Sequence, residues 1–131
     1  MNKTLDERGD TIVQTVIVAP ALLLLIMSVI QFALVAHARN VAEAAAQEGV
    51  TAARRFDATS ADGRSKATEV LATLGPRMLR DTSVVVDRTP TAVTVTVAGS
   101  PLSFVPGFSH RIVESSSGPV ERYVAPVKEG S

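Results

Sequence analysis

The strongest constraint in this sequence is an uncharged run, Thr11–Ala36, which is bounded by Asp10 and His37. As an α-helix with a rise of about 1.5 Å per residue, the run would be roughly 39 Å long. The hydrocarbon core of a bilayer is about 30 Å thick, so a helix of this length can span it with some tilt. The run therefore predicts a single transmembrane helix over residues 11–36.

Two other interpretations of the run have to be weighed. A buried core helix of a soluble protein is usually shorter and carries polar residues along one face. A cleaved secretory signal would suit the basic residues Lys3 and Arg8 and the small-x-small pattern at residues 36–38. However, a signal needs only about 7 to 15 apolar residues, and helix-forming residues continue past the cleavage pattern. The run is better explained as an anchor, although its flanking charges do not orient it.

A proline lies inside the run, at Pro20. It removes one intrahelical hydrogen bond and frees the carbonyl of Val16, which normally bends a helix. In a membrane the freed carbonyl can be satisfied by a nearby side chain or by a helix of another subunit. Pro20 is therefore a predicted kink, and the sequence leaves open whether the kink has a role.

Composition excludes several classes of function. The chain has 131 residues, enough for the anchor and one domain of roughly 75 to 90 residues. Thirteen basic and thirteen acidic residues cancel, so nucleic acid is not an expected partner. There is no cysteine, and His37 and His110 lie far apart without clustered acidic residues, so neither a metal nor another cofactor is expected. No nucleophile elbow, metal motif or phosphate loop is present, so we expect no enzyme and no catalytic residue.

After the anchor, the alanine-rich stretch 37–56 continues as helix, because alanine has the highest helix propensity. With the anchor it would form one helix of about 45 residues, roughly 65 to 70 Å long. Small residues recur at steps of three and four, which places them on one face that we predict to be a packing surface. They are Ala38, Ala42, Ala45, Gly49 and Ala53, with Val41 beside them.

A second, shorter helix is predicted over residues 60–74. Thr59 can cap its first turn, with Asp62 three residues later as the other half of a capping box. Ala67, Val70, Leu71 and Leu74 would form one apolar stripe. Gly75 and Pro76 follow in the order that ends a helix.

From residue 82 onward the sequence favours β-structure. Two strands are predicted, at residues 82–87 and 91–98, and valines alternate with threonines in the second. Residues 87–90, which include Pro90, would form the turn of an antiparallel hairpin. A Pro/Gly-rich loop and a third strand near residues 110–116 complete the predicted sheet, and the two helices would cover its valine face.

These elements predict an α+β fold. A polar tail occupies residues 1–10, the transmembrane helix 11–36, a small domain 37–118, and a tail 119–131. Within the last segment, Val120, Tyr123 and Val124 could lie on the sheet.

This arrangement resembles a type IV pilin-like subunit, and more narrowly the TadE-like family of the tight-adherence (Tad/Flp) pilus machinery. Four stretches carry the resemblance: Arg8-Gly9, the APALLLL of residues 19–25, the AEAAAQEGVTAARR of residues 42–55, and the PVERY of residues 119–123. The resemblance implies a pseudopilin or minor pilin in the cell membrane, with its domain extracytoplasmic and with residues 1–10 as a cytoplasmic tail or a prepilin leader. Its partners would be the bilayer, other pilin-like subunits, pilus assembly membrane proteins and a prepilin peptidase.

The resemblance also implies a processing site. A prepilin peptidase would cut after Gly9 and leave Asp10 as the new N-terminus. The family pattern places a glutamate five residues after the cut, followed by an aromatic residue, whereas this chain has Gln14 and Thr15. In related pilins the glutamate is thought to neutralise a neighbouring subunit's terminal amine. A non-polymerising bitopic membrane protein, with a small outer binding domain, is therefore the alternative to a pilus subunit.

Overall fold

The computed structural model describes residues 3–108 and 110–122, with side chains from Glu7 onward. Its elements are α1 (Lys3–Ala53), α2 (Ser60–Leu74), β1 (Leu79–Arg88), β2 (Ala92–Pro101) and β3 (Ile112–Pro119). The strands form an antiparallel sheet in the order β1-β2-β3, and both helices lie against it. The predicted α+β fold, with a long N-terminal apolar helix, a short second helix and a three-stranded sheet, is confirmed.

Helix α1 is longer at its start and shorter at its end than the sequence indicated. It has 51 residues, about 75 Å of helix, and it begins at Lys3, so most of the expected polar tail is helical. Thr11 donates its hydroxyl to the Glu7 carbonyl at 2.8 Å, and Thr15 donates to the Thr11 carbonyl at 2.8 Å. These hydroxyls bond within the helix, which satisfies them without an outside partner. The helix ends at Ala53 instead of Phe56.

The alternation in β2 matches its prediction. Val93, Val95 and Val97 are fully buried under the helices, because successive strand residues point to opposite faces. On the outer face, hydroxyl pairs join β2 to β3: Thr94 meets Ser117 at 2.9 Å and Thr96 meets Ser115 at 3.1 Å.

The strand boundaries differ from the predicted ones. β1 begins three residues earlier, at Leu79, and a bulge between Arg80 and Ser83 interrupts its pairing with β2. The hairpin turn spans residues 89–92 instead of 87–90. Thr89 explains this shift, since its N–H donates to the Ala92 carbonyl at 2.8 Å and its hydroxyl accepts from the Ala92 N–H at 3.0 Å.

Beyond β3, backbone hydrogen bonds hold two more residues, one beside the sheet and one at the end of α1. Val120 donates its N–H to the Thr91 carbonyl at 3.0 Å, and Glu121 donates to the Arg54 carbonyl at 2.7 Å. The predicted boundary of the C-terminal tail at residue 119 therefore falls inside paired structure. Tyr123 and Val124, the other two residues expected on the sheet, lie outside the described residues.

Helix α2 has the predicted cap. Thr59 and Asp62 exchange hydrogen bonds as a capping box, with the Thr59 N–H donating to the Asp62 carboxylate at 2.7 Å. That backbone bond, together with one from the Thr59 hydroxyl, lowers the pKa of the Asp62 carboxyl. Gly75 follows the helix, where its N–H donates to the Leu71 carbonyl.

Candidate membrane and assembly interface along helix α1

Helix α1 divides into two halves with opposite environments. We call residues 7–30 the exposed half and residues 31–53 the packed half. In the exposed half, large aliphatic side chains project away from the protein, with Ile17 and Leu24 each 66 % exposed. Of the most apolar 18-residue stretch of this helix, only 6 % is buried inside the protein. A core helix of a soluble protein would bury these side chains, so the structure argues against that interpretation.

The packed half buries the small residues that the sequence placed on one face. Ala38, Ala42, Ala45 and Ala53 are fully buried, and Gly49 is buried among them. Val41 and Val50 on the same side are 4 % and 5 % exposed. Short side chains allow the backbone of α1 to lie close to β2, β3 and α2.

The closest approach along this face joins α1 to α2 at two glycines. A methyl group on Gly49 would lie 3.1 Å from the Gly63 carbonyl oxygen and 3.1 Å from a methyl of Val95. A methyl group on Gly63 would lie only 2.7 Å from the Ala53 side chain. Gly63 was not among the predicted packing residues, although an isolated glycine inside a helical pattern is a signal of close packing.

Gln31, which was also not among the predicted site residues, begins the packed half. It is 4 % exposed, although it lies within the predicted transmembrane run. Its amide donates to the Leu102 carbonyl at 3.2 Å, and its side-chain oxygen accepts from the Phe104 N–H at 3.0 Å. Gln31 therefore holds the start of the loop between β2 and β3 against α1. The available signals were an amide within the otherwise apolar residues 29–36 and a loop rich in apolar residues.

The other end of the packed half is held by the sheet. Arg88 donates its Nε to the Ala53 carbonyl at 3.1 Å, and Glu121 donates its N–H to the Arg54 carbonyl. These are carbonyls that a helix end leaves without intrahelical partners. Arg54 and Glu121 also form an ion pair at 3.5 Å, but both side chains are well exposed, so its contribution is small.

The remaining predicted site residues lie in the exposed half, away from the packing face. Gly9 and Asp10 are exposed within the first turns of α1, and a methyl group on Gly9 would meet no side chain from Glu7 onward. Gln14 is also exposed, and the helix continues through Pro20. The structure thus separates the predicted processing and kink residues from the predicted packing residues.

A model of the TadE-like protein family matches residues 9–51. The matched segment begins at Gly9 and covers nearly all of both halves of α1, so the predicted resemblance is confirmed there. The match associates the chain with Tad pilus proteins, and together with the exposed apolar helix it indicates a membrane-anchored protein. Comparison with curated proteins and with solved structures found no match.

Proposed function

We propose that this chain is a structural, non-catalytic pseudopilin or minor pilin-like subunit that takes part in assembling a tight-adherence type IV pilus or a related secretion apparatus. One observation carries the proposal. The family match covers the continuous helix that joins a lipid-length exposed half to a packed half. A subunit that moves from the bilayer into an assembly needs this combination, a helix free on all sides and a domain fixed to its other end.

The exposed half suits both environments of such a subunit. Its side chains project freely, so they can face lipid before assembly and neighbouring pilin-like helices afterwards without a change in the domain. The carbonyl of Val16, freed by Pro20, offers an acceptor to a neighbouring helix. We place the domain outside the cytoplasm, where an export-dependent reporter fused after Ser131 should be active and a cytoplasm-dependent one inactive.

Processing would occur at the bond between Gly9 and Asp10. That bond lies within α1, so a peptidase has to unwind the first turns of the helix to reach it. Glycine helps, because it costs about 1 kcal/mol relative to alanine in a helix interior and lets the enzyme approach the backbone closely. Once the first nine residues are removed, Asp10 carries the new terminal amine.

Intact-mass analysis of the detergent-extracted protein, from cells with an active prepilin peptidase, tests this proposal. We expect a chain that lacks residues 1–9, and we expect Gly9→Val to leave the chain at full length. Ala36→Val is a matched control at another exposed position of α1 and should leave the cut unchanged. A mass lacking residues 1–38 that is lost in Ala36→Val would indicate a secretory signal instead.

The second candidate is a non-polymerising bitopic membrane protein whose small outer domain contacts another envelope component. Gln14 favours it, since an exposed amide stands where the family has a glutamate, and an amide gives no charge partner to a neighbouring amine. A native mass that retains residues 1–9 would select this candidate. Gln14→Glu should not block the cut, but it should increase incorporation into a polymer if the pilus proposal holds.

A further inference from the structure

We propose that the segment Leu102–Phe108, here called the β2–β3 loop, is a second membrane contact. It would place Phe104 and Phe108 beside Phe32 in the boundary between acyl chains and headgroups on the domain side of the bilayer. The proposal rests on α1 spanning the membrane, but not on the chain entering a pilus.

The loop lies at the height along α1 where the helix leaves the hydrocarbon core. Gln31 fixes the loop by two hydrogen bonds, at 3.2 Å to the Leu102 carbonyl and 3.0 Å from the Phe104 N–H. A helix needs about 20 residues to cross a hydrocarbon core of about 30 Å. If the span begins at Thr11, directly after the charged Asp10, it reaches the other side next to Gln31. A tilted helix would carry the loop deeper, so tilt strengthens the contact.

The loop presents an apolar surface at this height. Phe104 is 61 % exposed and Phe108 is 41 % exposed, while Phe32 on the adjacent face of α1 is 70 % exposed. No charged residue occurs between Leu102 and Phe108. These three phenylalanines form a patch that extends the apolar surface of the exposed half from α1 onto the loop.

Internal hydrogen bonds give the loop a defined shape. The Phe108 N–H donates to the Val105 carbonyl at 3.2 Å, with Pro106 and Gly107 between them. Gly107 has a φ of 83°, which suits the third position of a type II turn after proline. The Ser103 hydroxyl donates to the same Val105 carbonyl at 3.0 Å. Phe108 closes this turn, and Phe104, whose N–H donates to Gln31, directly precedes it.

Charged groups lie on the domain side of this patch. An open apolar recess is lined by Phe32, Val35, Ala36 and Phe108, and Arg39 and His110 complete its lining. Arg39 is exposed and lies two turns of helix above Gln31, about 12 Å farther from the span. That height suits the headgroup phosphates, to which an arginine can extend while its stem stays on apolar surface.

Depth-dependent quenching of a fluorescent label tests the proposal. The chain has no cysteine, so single-cysteine variants of the full chain can be labelled selectively. We compare Phe104→Cys with Leu24→Cys in the exposed half and with Val85→Cys on the outer face of β1, at positions 61 %, 66 % and 59 % exposed. Each is reconstituted in phosphatidylcholine vesicles with and without brominated acyl chains.

We expect bromine to reduce the fluorescence of the labels at positions 24 and 104 and to leave position 85 unchanged. Loss at position 24 without loss at position 104 would overturn the loop contact and leave the anchor intact. No loss at position 24 would overturn the anchor, and the loop contact with it. Pyrene excimer emission from Phe104→Cys without quenching by brominated lipid would assign the patch to a second copy of the chain, and so would overturn the lipid proposal.

Gln31→Leu in the Phe104→Cys background tests whether the hydrogen bonds of Gln31 hold the loop at this height. Removing both hydrogen bonds should reduce the quenching at position 104, because the loop is then no longer held at the level of the span. The label at position 24 in a matching Gln31→Leu variant should be quenched as before. Undiminished quenching at position 104 would contradict the role assigned to Gln31.

Discussion

The two halves of α1 share one continuous backbone, but they obey opposite rules of side-chain size. In the exposed half the side chains are mostly large, and Leu24 is 66 % exposed. In the packed half the inward side chains are mostly alanine, and Ala42 and Ala45 are fully buried. Lipid is as apolar as leucine, so large side chains gain nothing there by turning inward. Along this helix, the size of a residue indicates its environment better than its hydrophobicity does.

The small residues of the packed half let α1 approach the sheet and α2 closely, but they bury little apolar area themselves. Alanine and glycine remove little apolar surface from water, so the area must come from residues that pack onto them. These are the valines of β2 together with Leu71, Leu79 and Ile112, all at most 6 % exposed. Substitutions of these larger buried residues should therefore affect the stability of the domain most. Substitutions in the exposed half of α1 should affect membrane anchoring instead.

The largest expected effect comes from removing one of those partners. Leu71→Ala should destabilise the domain by about 2 to 5 kcal/mol, because it removes buried methyl groups and leaves a cavity. Leu24→Ala is the same change in the exposed half and should leave domain stability unchanged. Pulse proteolysis in urea measures both, as a lower midpoint for the first variant alone. Equal midpoints would break the comparison between the halves.

Introducing a charged side chain should disturb the exposed half of α1 more than an exposed position of the domain. Leu24→Lys should cost about 2.5 to 3.5 kcal/mol of membrane insertion, because an ammonium group is poorly solvated at the centre of a bilayer. Leu74→Lys, at the end of α2, is the control, since Leu74 is 52 % exposed in the domain. Carbonate extraction should release more of the first variant than of the second. Equal retention would show that residue 24 does not lie at membrane depth.

The close contact between the helices predicts a cost of overpacking. Gly49→Leu should destabilise the domain by about 1 to 3 kcal/mol, since its side chain would meet Val95, Gly63 and Ala67. Glu43→Leu on the exposed face of the same helix should be mild. The urea midpoint of the domain is again the measurement. If both variants had wild-type midpoints, the packing face would tolerate the added volume, which would contradict the close contact at Gly49.

The smallest expected effect is a pH dependence at the cap of α2. The folded state lowers the pKa of Asp62, so its carboxylate contributes stability above about pH 4, and this is lost as pH falls through the lowered folded value. Asp62→Asn should therefore reduce stability near neutral pH and should flatten the decline in acid. Thermal unfolding between pH 7 and pH 3 measures this. An unchanged acid slope in the variant would assign the dependence to other groups.

Periodicity explains how much of this fold the sequence could predict. Steps of three and four in the alanine-rich stretch, and of two in residues 93–97, each specify which residues share a face, so both buried surfaces were found. The capping box at Thr59 is equally local. The shifted hairpin turn is a different case, because Pro90 suggested one turn and the hydrogen bonds of Thr89 stabilise another.

The residues that the sequence could not place are those defined by distant partners. Gln31 bonds to residues 71 and 73 positions later, and Arg88 reaches Ala53 across 35 positions. Nothing near Gln31 indicates which loop returns to it, because that depends on the sheet register and on how the sheet docks on α1. The same holds for Gly63, whose close approach to Ala53 exists only after two helices have packed.

The hydrogen bonds at the two ends of the packed half determine how the protein would respond to a pulling force. Gln31 holds the β2–β3 loop at one end of this half, and the carbonyls of Ala53 and Arg54 hold Arg88 and Glu121 at the other. β3 lies between the loop and Glu121 in the chain, and it packs against α1. Tension along the helix axis loads the whole interface in shear, so many contacts must fail together. Tension applied across the axis at Glu121 would instead peel β3 away contact by contact, and should separate the domain at a much lower force.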